Sequence, residues 1–243
     1  MTRYGWIKNQ EALKRGHGSK RTTETGEHNM ITIYGIQGHH VARLRSALLQ
    51  KGLDFEHVSV NLAKKSAEFQ KLSPAETIPV LQDGDMILTE SIDAIHYLDE
   101  QYPKTPKMLG SSWQEKSKIL NLIWAVDKIS SYLGPLYIEK FNLADGMKQA
   151  GATHRAIMYN QEQKTDLQKE VSYRLVKLAK LKEGKFFTSK FSSADASMLG
   201  LLQTLQWLGM DVGEWAAWKE ELMKDQNISN MFAPQNEKGV REI

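Results

Sequence analysis

The chain contains no cysteine. That excludes disulfides, thiolate metal ligands and a cysteine nucleophile together. It fits a reducing compartment, and a cytoplasmic location is the expectation. No stretch approaches the roughly 18 apolar residues of a membrane-spanning helix, so no membrane role is expected. Excess charge is also scarce: the formal net charge is +3. Residues 1–29 account for it, with six Lys/Arg (Arg3, Lys8, Lys14, Arg15, Lys20, Arg21) against Glu11, Glu24 and Glu27. The neutral remainder argues against a nucleic-acid partner, because phosphate contacts need a basic face. What is present is ordinary globular material, 41% hydrophobic and 25% charged over 243 residues. That is one large domain or two modest ones.

Residues 1–29 are polar, lack a signal-peptide core and read as an extension. From Met30 a regular grammar begins. Ile31 and Ile33 alternate with Thr32 as in a strand. Val41, Leu44 and Leu48 mark a helix over 40–51, stopped by Gly52. Phe55, Val58 and Val60 give a second strand, and 65–72 a short helix. Ile78-Pro79-Val80-Leu81 is a third strand with proline at its start, where the missing N–H does no harm. Asp83-Gly84 predicts a hairpin turn into Met86–Leu88. A helix over 91–101 stops before Pro103. The order β-α-β-α-β-β-α over 30–103 predicts an α/β layer on a small mixed sheet. Residues 104–112 have linker composition. Strand signals then vanish. Helices are expected over 113–130, 153–182, 193–208 and 213–225, with a break or kink at Gly134-Pro135, so 113–243 reads as all-α.

The residues of this grammar are specific. Leu72-Ser73-Pro74-Ala75-Glu76-Thr77-Ile78-Pro79-Val80-Leu81, then Asp83-Gly84, then Leu88-Thr89-Glu90-Ser91-Ile92-Asp93-Ala94-Ile95-His96-Tyr97-Leu98 resembles the cytosolic glutathione transferase superfamily. Arg43–Leu53 resembles its first helix, zeta-like members included, and Ser192-Ser193-Ala194-Asp195 resembles its helix-capping box. The resemblance runs from Met30 to about Phe232. It implies a thioredoxin-like first domain and an all-helical second one. It also implies glutathione as co-substrate, a small electrophile as second substrate, no metal, and a homodimer. The Ile78–Pro79 bond would be cis, leaving the Ile78 backbone free to pair with the extended peptide, with Thr77 beside it. Glu90 would meet the γ-glutamyl ammonium, and Ser91, at a helix start, its carboxylate. Lys64, with Lys65, would take the glycyl carboxylate. An apolar electrophile pocket would be lined by the first long helix of the second domain, and Trp124 and Tyr132 are candidates to line it.

One residue type is missing where chemistry is expected. The hydroxyl or thiol that such enzymes place at the entry to the first helix falls here on Gly38, within Ile36-Gln37-Gly38-His39-His40-Val41. Three readings stand open. A histidine replaces the hydroxyl, His39 first and His40 next; the backbone N–H groups of Gly38–His40 suffice; or the pocket binds glutathione without activating it. Metal binding by the histidine pair is set aside, since adjacent side chains diverge and no carboxylate lies nearby in sequence. The expected function is a glutathione-dependent transferase acting on a small apolar electrophile. Conjugation, thiolytic cleavage or dehalogenation, peroxide reduction and isomerisation are not distinguished. The alternative is a non-catalytic relative that binds ligands or partners.

Overall fold

A computed structural model describes residues 21–23, 26–28, 30–36, 38–61, 65–140, 142, 144–145, 157–232 and 241–242. Most of the 1–29 extension lies outside these residues. Within it, β1 (Arg21–Thr23) and β2 (Gly26–His28) form an antiparallel pair. The main sheet then follows the expected order: β3 (Ile31–Tyr34), α1 (His39–Lys51), β4 (Phe55–Ser59), α2 (Ala67–Leu72), β5 (Val80–Asp83), β6 (Met86–Leu88) and α3 (Ser91–Gln101). Strand β3 pairs parallel with β4 and antiparallel with β5, and β5 pairs antiparallel with β6. This mixed sheet with its helices is a thioredoxin-like layer. A last strand, β7 (Arg241–Glu242), adds in parallel to β4 and gives the order β6-β5-β3-β4-β7.

The rest is helical: α4 (Trp113–Ser130), α5 (Gly134–Lys140), α6 (Gln161–Ala179), α7 (Ser193–Trp207), α8 (Trp215–Met223) and α9 (Gln226–Ser229), then a 3-10 turn at Asn230–Phe232. The break foreseen at Gly134-Pro135 separates two helices, α4 and α5. Among the described residues no helix is long and apolar enough to cross a membrane.

Local sequence explains most boundaries. Gly52 ends α1 at φ 64°, a left-handed value that a Cβ disfavours. Ser192 and Asp195 cap α7 reciprocally, with the Ser192 N–H 2.9 Å from Asp195 Oδ2. Asp195 also accepts from Phe187 N–H at 2.9 Å, so the box anchors the preceding loop.

One apolar core runs through both halves. It includes Ile33, Leu44, Leu48 and Leu81 from the α/β layer, and Ile119, Ile123, Met198 and Leu201 from the helices. Helix α1 is the joint, packing more extensively on α7 than on any other element. The approach is closest at Gly200, where a Cβ would come within 2.9 Å of His39 Cα and Cβ. Gly200→Ala is therefore expected to push the start of α1 away from α7. Overpacking of this kind costs about 1–3 kcal/mol. Urea denaturation reads it, and unchanged stability would mean that the two helices can separate freely there.

Candidate active site

Helices α1 and α3 both begin at one cavity of about 420 Å³, lined by His40, Lys65, Glu76, Thr77, Ile78, Pro79, Thr89, Glu90 and Ser91. The lining comes from the second residue of α1, the turn entering β5 and the first residue of α3. The Ile78–Pro79 peptide is cis. Ser91 is buried at the first position of α3, and exposed Glu90 precedes it.

The ends of these two helices share a feature. Neither has a side-chain cap: Gly38 has no side chain to offer, and Glu90 makes no cap hydrogen bond. Helices α2, α4, α6, α7 and α9 are capped by Ser66, Ser112, Asn160, Ser192 and Asp225. Helix α8 is not. First-turn N–H groups without side-chain partners carry a partial positive charge and suit an anion. Two such ends open on the same space.

The two histidine rings lie 3.7 Å apart between centroids, yet only one of them faces the cavity. His40 lines the cavity. His39 does not; it is 6% exposed and faces α4, with Nε2 3.2 Å from Asp127 Oδ1 and Nδ1 3.3 Å from Ser130 Oγ. Arg43, one turn along α1 and fully buried, reaches the same cluster. Its Nη2 donates to Asp127 Oδ1 at 2.6 Å and to His40 Nδ1 at 2.8 Å, and its Nη1 donates to Asp127 Oδ2 at 3.2 Å. Burial lowers the pKa of both histidines, and Arg43 lowers each further. For His40, with the neighbouring His39 also opposing a charge, the value falls to about 3. Burial would raise the Asp127 carboxyl, but the His39 hydrogen bond and the Arg43 charge overcome it and hold it at about 2.

The sequence argument against a metal relied on diverging histidine side chains and on there being no carboxylate near them; the two rings in fact lie 3.7 Å apart. The fold supplies a carboxylate, Asp127, and potential ligand atoms of His39, His40 and Asp127 lie within 4.8 Å of one another. The place is taken, however. The Arg43 guanidinium bonds both the carboxylate and His40 Nδ1, so a cation entering there would meet a fixed positive charge.

The other expected residues fall as follows. Thr77, Ile78, Pro79, Glu90 and Ser91 share the cavity with His40. Gly38 is the N-cap of α1, in extended backbone, and is not among the lining residues. Lys64 lies outside the described residues. Lys65 does line the cavity and pairs with Glu76 at 2.7 Å. Trp124 does not line it; it is 59% exposed on α4. Nor does Tyr132, which packs half-buried against the core between Lys128 and Arg174. Thr89, Glu76, Arg43 and Asp127 were not singled out by the sequence.

Comparison with known proteins places this geometry. The family model for the glutathione S-transferase N-terminal domain matches residues 34–106. A glutathione S-transferase from Dianthus caryophyllus is 32% identical over 189 residues, 73% of this chain and 78% of that protein. Glutathione S-transferase Z2 of Arabidopsis thaliana is 41% identical over 78 residues, 31% of this chain and only 34% of the relative's length. Among solved structures, a bacterial zeta-class maleylpyruvate isomerase superposes with a TM-score of 0.66 at 21% identity, over 86% of this chain and 99% of that one. The fold, the turn before β5 and the long carnation match converge, and the chain belongs to the glutathione S-transferase family.

Proposed function

We propose that this chain is a glutathione-dependent transferase in which His40 and the start of α1 stabilise the bound thiolate. The observation that carries the reading is the pair of helix ends without side-chain caps opening on one cavity. The end of α3 receives the γ-glutamyl carboxylate, with Ser91 adding a hydroxyl and Glu90 facing the ammonium. The Ile78 backbone pairs with the cysteinyl unit. Lys65, shared with Glu76, meets the glycyl carboxylate. The sulfur then lies toward α1.

There the usual hydroxyl is replaced by an imidazole. His40 is neutral, so it offers the sulfur an N–H rather than a charge. The thiol proton leaves to water. The thiolate attacks an electrophilic carbon, the C–S bond forms, and the leaving group departs with its electron pair, or a conjugated acceptor takes up a proton. The maleylpyruvate isomerase neighbour suggests a second outcome, in which reversible addition permits rotation and the thiolate is then expelled. The zeta-like Arg43–Leu53 segment favours it, while Gly38-His39-His40, with no hydroxyl or thiol at the helix entry, counts against it.

Calorimetric titration with reduced glutathione tests the site. Ser91→Ala and Glu90→Ala are each expected to weaken binding about tenfold, the worth of one charge-assisted hydrogen bond. Binding indifferent to both changes would move the peptide elsewhere. No binding at all would leave a relative that has kept only the fold.

A further inference from the structure

We propose that Arg43, held by Asp127 of the helical half, is the positioning residue that decides which nitrogen of His40 carries the proton. The inference rests on His40 as the thiolate's donor. A guanidinium has five N–H groups and no lone pair to accept with. Arg43 Nη2 lies 2.8 Å from His40 Nδ1, so Nδ1 is the acceptor of that bond. A neutral imidazole has one ring hydrogen, which must then sit on Nε2. Arg43 is itself held in place: Asp127 takes one hydrogen bond on each oxygen, and the side chain is fully buried. His39 Nε2 also bonds this carboxylate, at the Oδ1 that Arg43 Nη2 shares.

Two consequences follow. The lone pair that could take a proton from the thiol is already used by Arg43. His40 therefore acts as a donor to the sulfur and not as its base. The ring also stays neutral across the range in which the thiol ionises. The groups that face it set this balance: Arg43 and His39 oppose a second proton, and Asp127 favours one. Lys65, Glu76 and Glu90 stand around the same cavity. Rate against pH should then show a single rising limb, that of glutathione's thiol, with no histidine limb beneath it.

The test uses the full chain with nitrogen-15 in its histidines. NMR distinguishes protonated from bare ring nitrogens. The expected result is His40 with hydrogen on Nε2 and none on Nδ1, unchanged from pH 5.5 to 8.5. In Arg43→Met, the hydrogen is expected to spread over both nitrogens of His40 and the ring's pKa to rise, while burial and His39 still hold it below the ordinary value of about 6.5. kcat/KM at pH 7.5 should fall about tenfold, as for one lost hydrogen bond, and the pH profile should gain a second limb. Asp127→Asn keeps the arginine but loosens it, and should show the same changes in part. It carries the test if Arg43→Met does not fold. Hydrogen on Nδ1 in the unaltered protein would overturn the assignment. So would a His40 that titrates within that range, or two variants that leave tautomer and profile untouched. The donor role fails separately, if His40→Ala leaves the bound thiol's pKa where it was.

Discussion

Alanine at position 40 is expected to raise the pKa of bound glutathione by about one to two units. A hydrogen bond to a charged group is worth about 1.5–3 kcal/mol, and one pKa unit is 1.36 kcal/mol. The start of α1 remains in the variant, so the thiol should not return fully to its value in water. At pH values below both thiol pKa values, the smaller thiolate fraction lowers kcat/KM about ten- to a hundredfold. Affinity for the peptide should change little, because the proposed site takes its carboxylates at α3 and Lys65, away from position 40. Ultraviolet absorbance of the thiolate, followed against pH in the binary complex, reads the shift directly. His39→Ala should give the opposite signature: the thiol pKa stays in place and the fold loses stability, since His39 faces Gly200, Asp127 and Ser130 rather than the cavity. If both variants leave the thiol pKa unchanged, neither of these histidines activates the bound thiol.

Lys51→Met should cost about 3–5 kcal/mol, the penalty for stripping one partner from a buried ion pair. Lys51 Nζ lies 2.7 Å from Asp99 Oδ1, with side chains 0% and 2% exposed. Around this pair the chain is knotted by hydrogen bonds. Lys51 also donates to Thr105 Oγ1 and to the Pro106 carbonyl, at 3.1 and 2.8 Å. Asp99 accepts from Met108 and Leu109 N–H at 2.9 and 2.8 Å. The last turn of α1, the end of α3 and the connection into α4 thus share two side chains. Methionine keeps the stem's volume but leaves a carboxylate buried without its cation. That is a large share of the roughly 5–15 kcal/mol that holds a typical domain together. Adding Asp99→Asn should restore part of it, so the double variant loses less than the two single losses combined. Urea midpoints measure all three. A single-variant loss under about 1 kcal/mol would show that water reaches the pair.

The sequence made legible what is encoded locally. Strand alternation at Ile31–Ile33, the stop at Gly52, the turn at Asp83-Gly84 and the box at Ser192–Asp195 depend on residues at most a few positions apart. The cavity was legible for a related reason: Thr77–Pro79 and Glu90–Ser91 occupy two short, recognisable segments. Strands β1, β2 and β7 were not, being too short to display a period and lacking a turn signal like the Asp83-Gly84 that revealed the equally short β6. The choice between His39 and His40 was also beyond a local reading, since neighbours on a helix differ by about 100° and only the packing tells which one faces inward. A signal existed, however. His39, Arg43 and Ser46 sit at i, i+4 and i+7, a polar row on a buried helix, and such a row needs a partner charge. That partner stood in the row Ile119–Ile123–Asp127 of α4, at spacing four, on the side turned inward. The same wheel puts Trp124 on the outer face, away from the buried Ile119, Ile123 and Val126. Size alone was the wrong criterion for it.

The Arg43–Asp127 contact bears on how such chains can be recombined. The two halves look like modules, joined by one connection and separable on paper. Yet a buried cation of the first half has its counter-ion in the second. A hybrid that grafts this α/β half onto a helical half with no carboxylate at that place inherits an unneutralised guanidinium in an apolar seam, together with a histidine whose hydrogen is no longer assigned. Exchange between relatives is thus open only where residues 43 and 127 travel as a pair. Crossover at the connecting segment, the obvious cut, is the one that parts them.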